Sequence, residues 1–439
     1  MIKKELEITD ENLRITIEKD LLNRNSKLIM LSKLLANLEE NITISIDGKW
    51  GCGKTFFIKQ FKYLIDHIDD YKDDKILNGS DKLSFKKLHD TNLVVYYNAW
   101  ENDIHTNVLE SLIYNILNEY PNMKNQIADF KDFKKVLKSF CRDFLYAASG
   151  EVFDINNIDK LNSFSDLAKE IITIEEKKAA FNKLVNEILG NKQRLILIID
   201  ELDRCKPSFA IELLETIKHF YTNDKITIIV STNNMELSNT IKNYYGSGFD
   251  GYGYLNKFYD FIISLELKDI KIYLQNQFDF CNRTFIYHDM SYLVMNYCNF
   301  SLRECNRYLT FYNMIKSYIE SESLFDKDIK YIYTCIFLPL ALALKISDVS
   351  KYNQFVSKRG KEIINDFLDS EITGTDYERW IRELTKSENV DDYKKKIFDT
   401  YFKIFDTEYS YNRFPFFDAI SLLGTQLLIE EKKGESNNE

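Results

Sequence analysis

Five short runs, residues 42–46, 93–97, 195–199, 226–230 and 261–267, carry apolar side chains on both faces over most of their length. A half-solvated strand alternates apolar with polar, so these runs predict parallel strands covered by helices on either side. Between them the period lengthens to that of a helix. Phe56, Phe57, Ile58, Phe61, Leu64 and Ile65 follow Thr55 on one helical face, and Val108, Leu109, Leu112, Ile113, Ile116 and Leu117 repeat the pattern further on. Strand alternating with helix predicts an α/β fold with a doubly wound parallel sheet, occupying residues 1–270. From residue 271 to 430 helical patterns dominate, which predicts a second, all-helical C-terminal domain. Residues 120–193 read as a charged helical insertion between the second and third strands. Residues 431–439 lack an apolar anchor and read as a disordered tail.

Composition narrows the class. Only 14 Gly and 4 Pro occur in 439 residues, and that scarcity of chain breakers favours long helices over a turn-rich sandwich. With 58 Lys+Arg against 68 Asp+Glu, the net charge of −10 argues against nucleic acid as a general partner. The seven cysteines form no C-x-x-C pair, and the five histidines form no H-E-x-x-H, so neither zinc nor a disulfide framework is expected. Acidic residues near the N-terminus stand where a secretory signal needs an apolar core. The longest apolar run, 331–344, contains Thr334 and Pro339 and is shorter than the roughly 20 residues of a spanning helix. It predicts a buried core helix, no integral membrane segment and a cytoplasmic chain.

The chemistry begins where the first strand meets Gly48-Lys49-Trp50-Gly51-Cys52-Gly53-Lys54-Thr55, which fits G-x-x-x-x-G-K-[ST]. Glycines let backbone amides wrap phosphates, and the following helix points its positive end at them. Gly48, Trp50, Gly51, Cys52, Gly53, Lys54, Thr55 and Phe56 are therefore the candidate nucleotide-binding segment. Lys54 would reach the β/γ-phosphates and Thr55 would bind Mg²⁺. The third strand runs into Asp200-Glu201-Leu202-Asp203-Arg204. Asp200 is the expected metal ligand and Glu201 the expected base for the attacking water, with Asp203 a competing base. After the fourth strand, Asn233 is a candidate for holding that water or the γ-phosphate, although asparagine is equally a turn residue. Further on, Ser301-Leu302-Arg303-Glu304 reads as a capping box opening a helix with Arg303 and Arg307 on one face. Arg303 is the candidate for a γ-phosphate contact; solvated arginines are the plainer reading.

With these motifs in line the chain resembles the KAP family of P-loop NTPases. That family's G-x-W-G-x-G-K-[ST] loop is matched by Gly48, Trp50, Gly51, Gly53, Lys54 and Thr55, and its Asn-x-Trp turn by Asn98-Ala99-Trp100. Its Asp-[Asp/Glu]-Leu-Asp-Arg-Cys motif is similar to residues 200–205, its Tyr-Leu-x-Lys motif to Tyr254-Leu255-Asn256-Lys257, and its Arg-x-x-x-Arg helix to Arg303 and Arg307. The resemblance implies a P-loop NTPase (ASCE type) with a helical lid, using ATP and Mg²⁺. Bacterial members are often linked to mobile elements and phage exclusion. Two departures stand out. Family members often carry transmembrane helices in the insertion, whereas residues 120–193 are charged every few positions. The fourth strand ends in Ser231-Thr232-Asn233, similar to the sensor segment of AAA+ ATPases, where the family often has Asp.

Other signals count for less. Residues 246–251 satisfy G-x-G-x-x-G but follow a helical pattern, so they read as a flexible loop rather than a dinucleotide site. Lys257 and Arg204 are candidates for a cation acting across a subunit interface, or for surface ion pairs. Trp100 reads as packing rather than base stacking. Cys52, beside phosphate-binding amides, reads as a small filler more readily than as an activated thiol. The expected function is an ATPase that switches the α/β domain against the helical one and works on a protein partner, with self-association an open option. The alternative is a nucleotide-dependent scaffold with little or no hydrolysis. A small-molecule kinase would need an acceptor pocket with a base, which the sequence does not show. ATP rather than GTP is a default, since no guanine-reading motif stands out.

Overall fold

The computed structural model describes residues 7–38, 40–71, 77–104, 108–119, 185–186, 188–220, 223–266, 270–271, 273–274, 285–321 and 332–405. The apolar runs form one sheet of parallel strands: β1 (Thr43–Asp47), β2 (Asn92–Asn98), β3 (Arg194–Asp200), β4 (Ile226–Thr232) and β5 (Phe261–Ser264). Their order is β2-β3-β4-β1-β5, so this is the α/β, doubly wound P-loop architecture expected from the pattern. The chain divides into two compact units, residues 8–266 with the sheet and residues 267–439 with helices.

The helices of the first unit include α1 (Asp10–Glu18), α2 (Asn25–Ala36), α3 (Lys54–Asp66), α4 (Gly79–Thr91), α5 (Val108–Glu119), α6 (Pro207–Phe220), α7 (Asn234–Tyr245) and the short α8 (Gly251–Leu255). Leu93, Val95 and Tyr97 of β2, Leu195, Leu197 and Ile199 of β3, and Ile228 and Val230 of β4 form one core with Val108 and Leu112 of α5 and Leu213 and Ile217 of α6. On α3, Phe57 and Phe61 are fully buried, and Phe61 meets Phe85 of α4 with ring centroids 6.0 Å apart. Each such side chain contributes about 1.5–3 kcal/mol by leaving water.

Register aligns the carboxyl ends of the strands. Asp200 of β3 pairs with Ser231 of β4, which pairs on its other side with Ile46; Asp47 pairs with Thr232. The loop after β1 and the turn after β3 therefore emerge on the same side of the sheet, with the end of β4 between them. That is where open α/β sheets bind ligands. One strand differs from expectation. β5 is four residues long, and Phe261 and Ile262 are 51% and 43% exposed. It pairs with β1 alone, so an edge position replaces the two-sided cover that the run 261–267 suggested.

In the second unit, α9 (Phe285–Tyr297) and α10 (Leu302–Ser321) are followed by a π-helical turn (Tyr333–Phe337) that leads into α11 (Leu338–Ser347). The capping box is present: Ser301 N donates to Glu304 Oε2 at 2.7 Å, and Glu304 N to Ser301 Oγ at 3.3 Å. Residues 332–344 are buried, as the apolar run required. No helix among the described residues is long and apolar enough to cross a membrane. Further on, Gly360 N donates to Tyr401 Oη, which donates to Phe355 O, inside a cluster of Phe337, Phe355, Tyr401 and Phe405. Most of the expected insertion and the whole of the expected tail fall outside the described residues.

Candidate functional site

The loop between β1 and α3 turns twice through left-handed backbone, at Gly51 (φ 77°) and Gly53 (φ 90°). A side chain there would be strained, which is why the motif needs glycine at both positions. Gly48 is required for space: a Cβ on it would stand 2.7 Å from Cys52 Sγ. Cys52 is buried and fills the loop's interior, the filler role expected of it. Gly53 caps α3 without a side-chain bond, so the first amides of the helix, with its positive end, are left to a ligand. Lys54 Nζ donates to Gly48 O at 2.6 Å and to Lys49 O at 3.4 Å, lying across the loop it serves. Thr55 is half-buried at the start of α3, whereas the Phe56 side chain is in the core and offers only its backbone.

Across the end of β4, Asp200 closes β3 and is 1% exposed. Its Oδ2 accepts from Tyr96 Oη at 3.0 Å and its Oδ1 from Glu201 N at 3.0 Å. Burial, and then Asp200 itself, push the Tyr96 hydroxyl pKa well up, so Tyr96 remains a donor. Lys59 of α3 lies over the Tyr96 ring, 3.1 Å from its centroid, and burial lowers its pKa. Glu201 takes a left-handed conformation (φ 61°) and pairs with Arg204, Nη1 to Oε1 at 3.2 Å. Burial raises the Glu201 pKa; Arg204 opposes that rise, and Asp200, Asp203 and Glu101 add to it. Asp203 Oδ2 accepts from Trp50 Nε1 at 2.5 Å, joining the acidic turn to the phosphate loop. Arg204 also lies 5.4 Å from the Trp100 ring, so both tryptophans of the motifs are engaged in holding this turn. Trp100 is half exposed rather than plugging the core. Asn98 Oδ1 accepts from the amides of Trp100 and Glu101, fixing the turn after β2.

Lys54, Thr55, Asp200, Glu201 and Asp203 are thus brought to the carboxyl ends of β1 and β3. Asn233 stands at the end of β4, where its side chain caps α7 by accepting from Glu236 N at 3.4 Å. Its neighbour Asn234 is the more deeply buried, exchanging hydrogen bonds with Ser45 of β1 and donating its amide to Asp47. The hydroxyls of Ser231 and Thr232 are buried with no hydrogen-bond partner among the described residues. Arg303 and Arg307 belong to the second unit, both exposed on α10. Lys257 is exposed just after α8. The glycine-rich stretch 246–251 joins α7 to α8, and Gly251 allows a close approach, since a Cβ would meet Ser238 O at 2.2 Å.

Arg24, Lys59 and Tyr96 escape sequence reasoning, because each acts through a partner far away in the chain. Arg24, at the start of α2, is 3% exposed. It donates to Cys52 O at 2.8 Å, Gly53 O at 3.4 Å and Leu265 O at 3.5 Å. Burial lowers its pKa, an effect opposed by Cys52.

For Mg²⁺ the donors are suitable. Asp200 is a buried carboxylate that accepts from Tyr96 Oη and Glu201 N, with the Lys59 ammonium near enough to feel its charge, and Thr55 adds a hard oxygen from the helix start. No cluster of three or more His, Cys, Asp or Glu able to hold a metal occurs among the described residues. Compared with known families, residues 24–286 match the KAP family P-loop domain. No curated protein matches the chain.

Proposed function

The chain belongs to the KAP family of P-loop NTPases, and from that membership we propose that it is a Mg²⁺-dependent ATP hydrolase. The observation that carries this is the strand–loop–helix of residues 43–66, with Gly51 and Gly53 left-handed, set on the same side of the sheet as the buried carboxylate of Asp200. Amides of the loop and of the first turn of α3 bind the phosphates, and Lys54 swings from the Gly48 carbonyl to the β/γ oxygens. Thr55 and Asp200 would hold Mg²⁺, which would supply charge neutralisation for the phosphates. Glu201, with a pKa raised by burial, orients and deprotonates the attacking water; Asp203, held by Trp50, braces the loop instead of competing as base. Catalysis is then positioning plus electrostatic stabilisation.

Phosphate release from the purified chain with ATP and Mg²⁺ tests this, beside Lys54→Ala and Glu201→Gln. Turnover in the wild type that is lost in both variants, with ATP retained only by Glu201→Gln, supports the assignment. Normal turnover by Glu201→Gln would remove Glu201 as base.

A second reading, a nucleotide-dependent scaffold with little hydrolysis, is favoured by one observation: Glu201 is held in an ion pair with Arg204. It predicts ATP binding without turnover. In either case we assign the output to a protein partner, with self-association as one form of it, and antiviral defence as the setting that the family suggests. Cys52, Cys205, Cys298 and Cys305 are free thiols, which suits the cytoplasm.

A further inference from the structure

Arg24 lies 28 residues before Cys52 and outside every motif of the phosphate loop. Even so, its guanidinium is buried directly behind that loop. Its acceptors are backbone carbonyls, those of Cys52, Gly53 and Leu265, and no carboxylate pairs with it among the described residues. A buried cation without a counter-ion is expensive, so its place calls for a reason. Peptide planarity supplies one. In a trans peptide the C=O of one residue and the N–H of the next point in opposite directions, and no cis peptide bond occurs among the described residues. Drawing the carbonyls of Cys52 and Gly53 toward the guanidinium therefore aims the amides of Gly53 and Lys54 away from it, on the loop's opposite side.

We propose that Arg24 is a positioning residue for the phosphate loop, fixing the direction of the Gly53 and Lys54 amides and placing a positive charge behind the bound phosphates. This rests on the nucleotide-binding reading above. Arg24 is itself held in place: Asp20 Oδ1 accepts from Arg24 N at 2.8 Å and from Asn25 N at 3.0 Å, fixing the turn that precedes α2. The same segment grips the end of β5, where Lys27 donates to Ser264 O and Arg24 to Leu265 O. Leu265 N in turn donates to Asp47 O at 2.7 Å, at the residue before the loop begins. The phosphate loop, the start of α2 and the chain leaving β5 thus share one hydrogen-bonded knot around a single guanidinium.

The test is calorimetric titration of the full chain with Mg²⁺-pyrophosphate and Mg²⁺-ATP, comparing wild type, Arg24→Gln and Arg24→Lys, with thermal unfolding of each recorded without ligand. Arg24→Gln is expected to weaken pyrophosphate binding at least about tenfold, since both the charge and the fork are lost. Arg24→Lys restores part of that affinity through its charge, a rescue that a role in folding alone would not give. Should Arg24→Gln fail to fold, Asp20→Asn keeps the guanidinium but loosens its seat, and the folded variant is expected to bind pyrophosphate more weakly. Unchanged pyrophosphate affinity in folded Arg24→Gln or Asp20→Asn, or no rescue by lysine, overturns the proposal. If wild type binds neither ligand, it is the nucleotide-binding reading itself that fails.

Discussion

Glu201 occupies a backbone conformation that costs a non-glycine residue about 1–2 kcal/mol, and that turn is what sets its carboxylate against Arg204. The consequence for acid–base behaviour can be measured. As the proposed base, Glu201 would act only when ionised, and burial raises its pKa, so turnover should rise with pH through a value above that of a free carboxylate. Arg204 favours the ionised form, so Arg204→Gln is expected to move the rising limb of the pH–rate profile to higher pH. A limb that stays in place would separate Arg204 from the base. Trp50 and Asp203 form the other link: Asp203→Ala is expected to cost about 1.5–3 kcal/mol in denaturant unfolding, the range of a hydrogen bond to a charged group. At this scale the sequence showed the residues whose chemistry depends on local spacing, such as Lys54 and Asp200. It did not show Tyr96 or Arg24, whose partners lie 104 and 28 residues away. Nor did it decide that Asn233 would cap α7, because turn and ligand asparagines look alike in sequence.

The elements were legible where one periodicity ruled. The strands β1 to β4 fall within a residue or two of their apolar runs because strands with both faces covered, the edge strand β2 included, leave little choice of residue type. β5 was overdrawn because an apolar run does not say whether a strand has one neighbour or two. Strand order was not legible either, since it depends on crossovers that no local pattern records. The box at Ser301 and Glu304 was legible because its two hydrogen bonds follow from spacing alone. Ser301→Ala should therefore destabilise the second unit by about 1 kcal/mol in chemical denaturation, the usual cost of a lost N-cap. At the other end of the chain, Gly53→Ala should cost about 1–2 kcal/mol for its left-handed backbone and disturb the phosphate loop at the same time. Both effects should appear in one titration, as a lower unfolding midpoint and a weaker affinity for ATP.

For the whole molecule, the boundary between residues 266 and 267 lies close to the point where strand patterns give way to helical ones, since a sheet and a bundle demand different periods. The net charge of −10 belongs to this scale as well. Duplex DNA at about 0.15 M salt should leave the chain unbound in a mobility-shift assay, because a net negative chain gains little from phosphate contacts under such screening. One further consequence follows from how the tryptophans are spent. Of the three in the chain, Trp50 touches the putting-together of loop and acidic turn through Asp203, Trp100 lies by Arg204, and Trp380 belongs to the second unit. Two of the three tryptophans therefore stand beside charged groups at the proposed reaction centre. Carboxylates and guanidinium groups shift and quench indole emission, so the protein carries an optical reporter of its own site and needs no attached dye to show a ligand arriving or leaving.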